Sequence, residues 1–171
     1  MTQLQQQIVN VVNTAINSFN QNEKYLIEKD LSERCICSKF ATYIEKALCN
    51  TELSEYMVDV EYNRGSQGNE YAAKQLGDRK IVVDLIAHKR GYDTEIGFDN
   101  LFCIEMKKEY KKPDLTSDKE RLKIMTDRYS GFGYKAGFMI LARANKRESR
   151  FELFVESTYL YLSNQQHRIY E

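Results

Sequence analysis

"NLFCIEMKKEY", residues 100–110, has the apolar density of a core strand, with Leu101, Phe102, Cys103, Ile104 and Met106 in close succession. Two charges interrupt it, Glu105 and Lys107. Strand side chains alternate between faces, so these two point the same way, about 7 Å apart along the strand. A charge on a core strand is costly unless it is paired or binds a metal. The stretch "KIVVDLIAH", 80–88, poses the same problem: Asp84 sits in the middle of an apolar strand pattern.

Working outward, residues 4–19 place Leu4, Ile8, Val11, Val12, Ala15, Ile16 and Phe19 at helical spacing. A short polar link precedes "DLSERCICSKFATYIEKAL", 30–48, whose inner face is Ile36, Cys37, Phe40, Ile44 and Leu48. "YMVDVEY", 56–62, alternates as a strand does, and a Gly-containing polar loop follows it. After the strands 80–88 and 100–107, Pro113 and Asp114 open a helix over 115–129 with Leu122, Met125 and Tyr129 inside. Strands 136–142 and 151–157 complete the pattern. The order predicts one α/β domain: three strands in an antiparallel meander, one crossover helix, and a mixed central sheet flanked by helices. The core spans about 30–157, with helix 4–19 and segment 158–171 as additions. No GxGxxG or GKS phosphate loop is present.

Composition narrows the class. A chain of 171 residues with 42% apolar and 29% charged residues is suited to one soluble globular domain. No apolar run approaches the roughly 18–20 residues of a membrane span. The first residues carry no basic region ahead of apolar ones, so no secretory signal is expected and a cytoplasmic location is. Cys35, Cys37, Cys49 and Cys103 form no CxxC pair, and with two histidines they do not suit a structural zinc site. Net charge is zero, against a protein that merely coats nucleic acid, yet residues 105–150 hold thirteen Lys/Arg against seven Asp/Glu.

Two neighbouring strands that each turn one carboxylate inward make a hard-oxygen pocket of the kind Mg²⁺ or Mn²⁺ prefers. Lys107 completes a cluster with Asp84 and Glu105. The alternative is a buried ion pair of Lys107 with one carboxylate, which leaves the other carboxylate over. Glu33 projects on the sheet-facing side of helix 30–48. It has two readings, an inward acid or the third helical residue of a capping box.

These residues carry a resemblance. Asp84, then about twenty residues, then Glu105-Met106-Lys107 resembles the signature of the PD-(D/E)XK nuclease superfamily, the restriction-endonuclease-like fold. "SERCICSKFATYIEKAL" resembles its first core helix, and "RKIVVDLIAHKRG" and "NLFCIEMKK" its two catalytic strands. "DKERLKIMTD" and "YKAGFMIL" resemble the crossover helix and its strand, so that the likeness covers roughly 30–157. The signature's proline is Val83 here, a position that shapes backbone and ligates nothing. The resemblance implies a metal-dependent DNA endonuclease, acting in phage defence or on mobile DNA, with Mg²⁺ as cofactor and Mn²⁺ able to substitute. Asp84, Glu105 and the Met106 carbonyl would be ligands, Glu33 would bind the ion or help recruit a second one, and Lys107 would position the attacking water.

Partners follow from the same reading. Nucleic acid is expected, DNA in preference to RNA, with Asn63, Arg64, Lys74, Arg79, Lys108, Lys119, Arg121 and Arg128 among the candidate phosphate contacts. Tyr110, Tyr129, Phe132 and Tyr134 suit either base stacking or packing, and His88 either the rim of the pocket or the core. Tyr159, Leu160, Tyr161 and Leu162 leave two readings, packing on residues 4–19 or a homodimer interface. A catalytically inactive nucleic-acid- or partner-binding module on the same fold is the competing class.

Overall fold

Apolar residues at three- and four-residue spacing make the helices, and they bury the faces that the sequence marks. The computed structural model describes residues 1–62, 75–76, 79–90, 100–127, 132–145 and 150–162. Helix α1 (Gln3–Asn22) buries Ile8, Val11, Val12, Ala15, Ile16 and Phe19, the expected face apart from a half-buried Leu4. Its start is a capping box: the Thr2 hydroxyl accepts from the Gln5 N–H, and the Gln5 side chain accepts from the Thr2 N–H at 2.8 Å. A short α2 (Lys24–Glu28) lies where the sequence suggests only a polar link. Helix α3 (Glu33–Cys49) buries Ile36, Cys37, Phe40, Ala41, Ile44 and Leu48. Phe19 meets Phe40 and Tyr43 edge-on and ties α1 to α3.

The strands are β1 (Met57–Val60), β2 (Gln75–Leu76), β3 (Arg79–Lys80), β4 (Leu85–His88), β5 (Asn100–Lys108), β6 (Ala136–Asn145) and β7 (Arg150–Leu162). A mixed five-stranded sheet runs in the order β1-β4-β5-β6-β7, and β2 pairs with β3 apart from it. β1, β4 and β5 form the expected antiparallel meander. The β5–β6 pair is parallel, as a crossover requires, and is joined through a 3₁₀ turn (Glu109–Lys111) and α4 (Thr116–Thr126). β6 and β7 are antiparallel.

Two expectations need correction. Residues 80–88 do not make one strand: Arg79–Lys80 pair with β2, and β4 begins only at Leu85. The reason is Asp84. With Leu85 opposite Ile104, the ladder would next reach Glu105 and Met106, but the Asp84 carboxylate itself accepts the Met106 N–H at 2.7 Å. A side chain has taken a backbone partner's place. Second, β7 continues to Leu162, so residues 158–162 lie in the sheet and not outside it. No helix among the described residues is long and apolar enough to cross a membrane.

The sheet has two unlike faces. Phe102, Ile104, Met106, Phe138 and Ile140 form one core with α1 and α3. Ile86, Cys103, Met139 and Leu141 form the other with Leu122 and Met125 of α4 and the fully buried Tyr134. Helix α4 lies close on β6 because position 137 is glycine; a Cβ there would stand 3.0 Å from Thr126 Cγ2. At the sheet's edge, Asn20 of α1 donates to the Leu153 carbonyl and accepts from the Leu153 N–H, both at 2.7 Å. Its amide stands in for a further strand beside β7.

Candidate active site

Strand alternation delivers the first residues. Glu105 lies on the α4 face of β5, only 1% exposed. Asp84 stands beside it at the head of β4, held by its bond from the Met106 N–H. Burial raises the Asp84 pKa, against the Met106 N–H and Lys107, which stabilise the ionised form. Burial pushes Glu105 up to about 8, with Asp84 and Asp118 adding to it and Arg121 opposing. Two acids therefore share a dry corner that disfavours charge on both.

Lys107, two residues on, shares their face. Its Nζ lies 3.6 Å from Glu33 Oε2 and 3.7 Å from Asp118 Oδ2. Burial works against its charge, but Asp84, Asp118, Glu33 and Glu105 outweigh it and raise the pKa, so Lys107 is a firm cation.

Glu33 reaches the cluster from the opposite layer. Ser32 is the N-cap of α3, its hydroxyl accepting from the Cys35 N–H, and Glu33 is the first helical residue. The capping-box reading of Glu33 is thereby overturned: the third helical position is Cys35. The Glu33 carboxylate instead accepts from the Lys108 N–H at 3.3 Å, at the end of β5. Met106 turns its side chain into the α1/α3 core and its N–H toward Asp84.

Helix α4 supplies two members that sequence reasoning missed or misassigned. Asp118 is 3% exposed at its side chain, and its Oδ2 has no hydrogen-bond partner. Arg121 donates through Nε to Glu105 Oε1 at 2.6 Å and through a terminal nitrogen to Asp118 Oδ1. The signal was present: Asp118 and Arg121 fall one turn before Leu122 and Met125, on the helix face already assigned to the interior. Arg121, expected among the outer phosphate contacts, is a member of the central cluster.

The remaining candidates divide. Lys108, expected among the phosphate contacts, is buried, and its Nζ is held by Asp30 at 2.7 Å through the side chain and 3.3 Å through the carbonyl. Lys111 and the Tyr110 hydroxyl bind the same carboxylate, and together these partners keep Asp30 far below the ordinary carboxylate range. An ammonium so engaged is structural. Lys119 is half-buried in the first turn of α4. Arg79 lies in β3; Asn63, Arg64, Lys74, Arg128 and Tyr129 lie outside the described residues. Tyr134 is core, and His88 is buried with Nε2 2.8 Å from Asp59 Oδ2, away from the cluster's own bonds. Burial, then Asp84, Glu105 and Glu61, push the Cys37 thiol up to about 12, so it offers no thiolate at neutral pH.

Four carboxylates thus gather around two cations. As they stand, no three acidic, histidine or cysteine side chains among the described residues converge into a ready cation cage; the Arg121 guanidinium bridges Glu105 and Asp118. The donor set is nevertheless all hard oxygen, with one buried oxygen lacking a hydrogen bond and two acids whose charge is unfavourable. A small divalent ion held there would relieve each of these. No protein-family profile, curated protein or solved structure matches the chain.

Proposed function

We propose that this chain is a metal-dependent nuclease that hydrolyses phosphodiester bonds, with DNA as the preferred substrate, on a restriction-endonuclease-like core. The observation that carries the reading is the convergence of Asp84, Glu105 and Lys107 on one face of two adjacent strands, with Glu33 arriving from α3. Asp84 and Glu105 would hold Mg²⁺ or Mn²⁺, with Glu33 and Asp118 in reach of the same corner. Bound there, the ion supplies Lewis-acid polarisation of the phosphoryl oxygens and a more acidic water.

The chain's own groups do the rest. Lys107, kept protonated by its acidic neighbours, orients the attacking water or neutralises charge growing on the phosphoryl oxygens. Glu33 fixes the Lys107 ammonium from the solvent side. The apolar floor of Ile86, Cys103 and Met139 excludes bulk water beneath the acids and strengthens each of these interactions.

Plasmid DNA, single-stranded DNA and RNA incubated with Mg²⁺ or with EDTA test the reading. Cleavage should require the ion, and Lys107→Ala should lower it by about 100-fold or more while the protein stays folded. Equal cutting by parent and variant would remove Lys107 from the mechanism. The Arg121–Glu105 pair favours a second reading, a binding module whose acids are permanently neutralised from within. No cleavage of any substrate, with no heat of ion binding, would favour that one.

A further inference from the structure

An arginine that bonds an acid in the heart of a candidate cation site is either a plug or a moving part. Glu105 has almost no contact with water, and Arg121 donates to its carboxyl group at 2.6 Å. Arg121 itself is different: its side chain remains 30% exposed. It also keeps a second anchor, Asp118, three residues back on the same helix. Asp118 offers one oxygen to Arg121 and leaves the other, Oδ2, buried and without a hydrogen bond, 3.7 Å from the Lys107 ammonium.

We propose that Arg121 is a resident hydrogen-bond partner of Glu105 that a divalent cation displaces, and that the guanidinium so freed, still anchored at Asp118, binds the non-bridging oxygens of the substrate phosphate. The inference rests on the nuclease reading above. Three features carry it. A divalent ion on Glu105 and a guanidinium on the same carboxylate repel one another, so the two occupy it in turn. Arginine keeps its charge throughout and presents a planar fork that fits two phosphate oxygens. The swing needs only rotation of a half-buried side chain, because Asp118 stays within reach one turn back on the same helix. The Asp118 Oδ2, near Lys107 but without a hydrogen bond, gives the incoming ion a further oxygen.

The test compares the full-length parent with Arg121→Gln, which keeps a hydrogen-bond donor near Glu105 and removes the charge. Mn²⁺ is titrated by calorimetry and by thermal melting, and plasmid cleavage is measured at saturating ion. The midpoint for Mn²⁺ should fall by about tenfold in the variant, because the competing charge is gone, while cleavage falls by about 100-fold because the phosphate clamp is gone too. Arg121→Lys keeps the charge, so its midpoint should stay within about twofold of the parent. A midpoint in Arg121→Gln equal to or above the parent's would overturn the inference and leave the nuclease reading intact. A parent that neither binds Mn²⁺ nor cuts would overturn the nuclease reading itself. Should Arg121→Gln fail to fold, the parent alone decides: the Arg121 Nε–H proton resonance should lose its carboxylate-bonded shift on saturation with Mg²⁺, and a resonance that stays put refutes displacement.

Discussion

Glu105 binds its proton more tightly in the native chain than in the unfolded one, because burial raises its pKa from 4.5 to about 8. A raised carboxylate pKa stabilises the fold fully below the unfolded value, and that stabilisation is lost as pH rises through the native value. Asp84 shifts in the same direction. The melting temperature of the ion-free protein should therefore fall between about pH 5 and pH 8, and Glu105→Gln should flatten that slope. Circular dichroism melts across the range would show it; a slope unchanged in the variant would place the proton elsewhere. Glu33 behaves differently, since Ser32 holds the cap. Glu33→Gln should cost no more than about 1 kcal/mol in denaturant unfolding, the size of a lost helix-end charge interaction, yet lower cleavage by about tenfold. At this scale Asp84, Glu105 and Lys107 were legible, because a charge inside an apolar run announces itself. Asp118 and Arg121 were not, because charges on an amphipathic helix look ordinary until the helix phase is counted against Leu122 and Met125. The ion pair of Lys108 was hidden for the opposite reason: a lysine in a basic stretch looks solvated, and only the fold brings Asp30 to it, 78 residues away in sequence.

Elements transmit what residues require. Helix α4 can present Asp118 and Arg121 only because it lies within contact of β6 at Gly137. A side chain there must push against Thr126, Leu122 or Cys103. Gly137→Val should destabilise the protein by about 1–3 kcal/mol through overpacking. Its cleavage should fall further than its melting temperature suggests, because a shifted α4 drags Arg121 off the acids. Denaturant unfolding and cleavage measured on one preparation would separate the two effects, and full activity in a destabilised variant would break the link between α4 and the site. The helix faces, the meander and the crossover could be read from periodicity, since burial follows the spacing of apolar residues. The break at 81–84 could not. "IVVD" has strand composition, and what ends the pairing is a side-chain acceptor competing for the Met106 N–H, which depends on a partner strand that local sequence does not reveal.

The whole molecule is held at its sheet margin by a contact between α1 and β7. Asn20 satisfies both backbone groups of Leu153, so Asn20→Ala leaves an N–H and a carbonyl without their partner. The expected loss is about 1–3 kcal/mol, read by denaturant unfolding, with cleavage per folded molecule unchanged because the contact is remote from Glu105 in the sheet order. A loss of activity equal to the loss in Arg121→Gln would show that the margin and the site are coupled. Neither the extent of β7 nor its pairing with Asn20 could be read from the sequence, since an asparagine late in a helix has many surface roles.

That pairing also has a consequence in time. Asn20 and Leu153 are separated by 133 residues, and at about 5–20 residues per second of synthesis the asparagine leaves the ribosome many seconds before its partner exists. Helices α1 and α3 can find one another early, through Phe19 and Phe40. The sheet margin cannot close until the strand carrying Leu153 has been made, and through that interval the nascent protein waits with one amide in water, holding a place for a strand still to come.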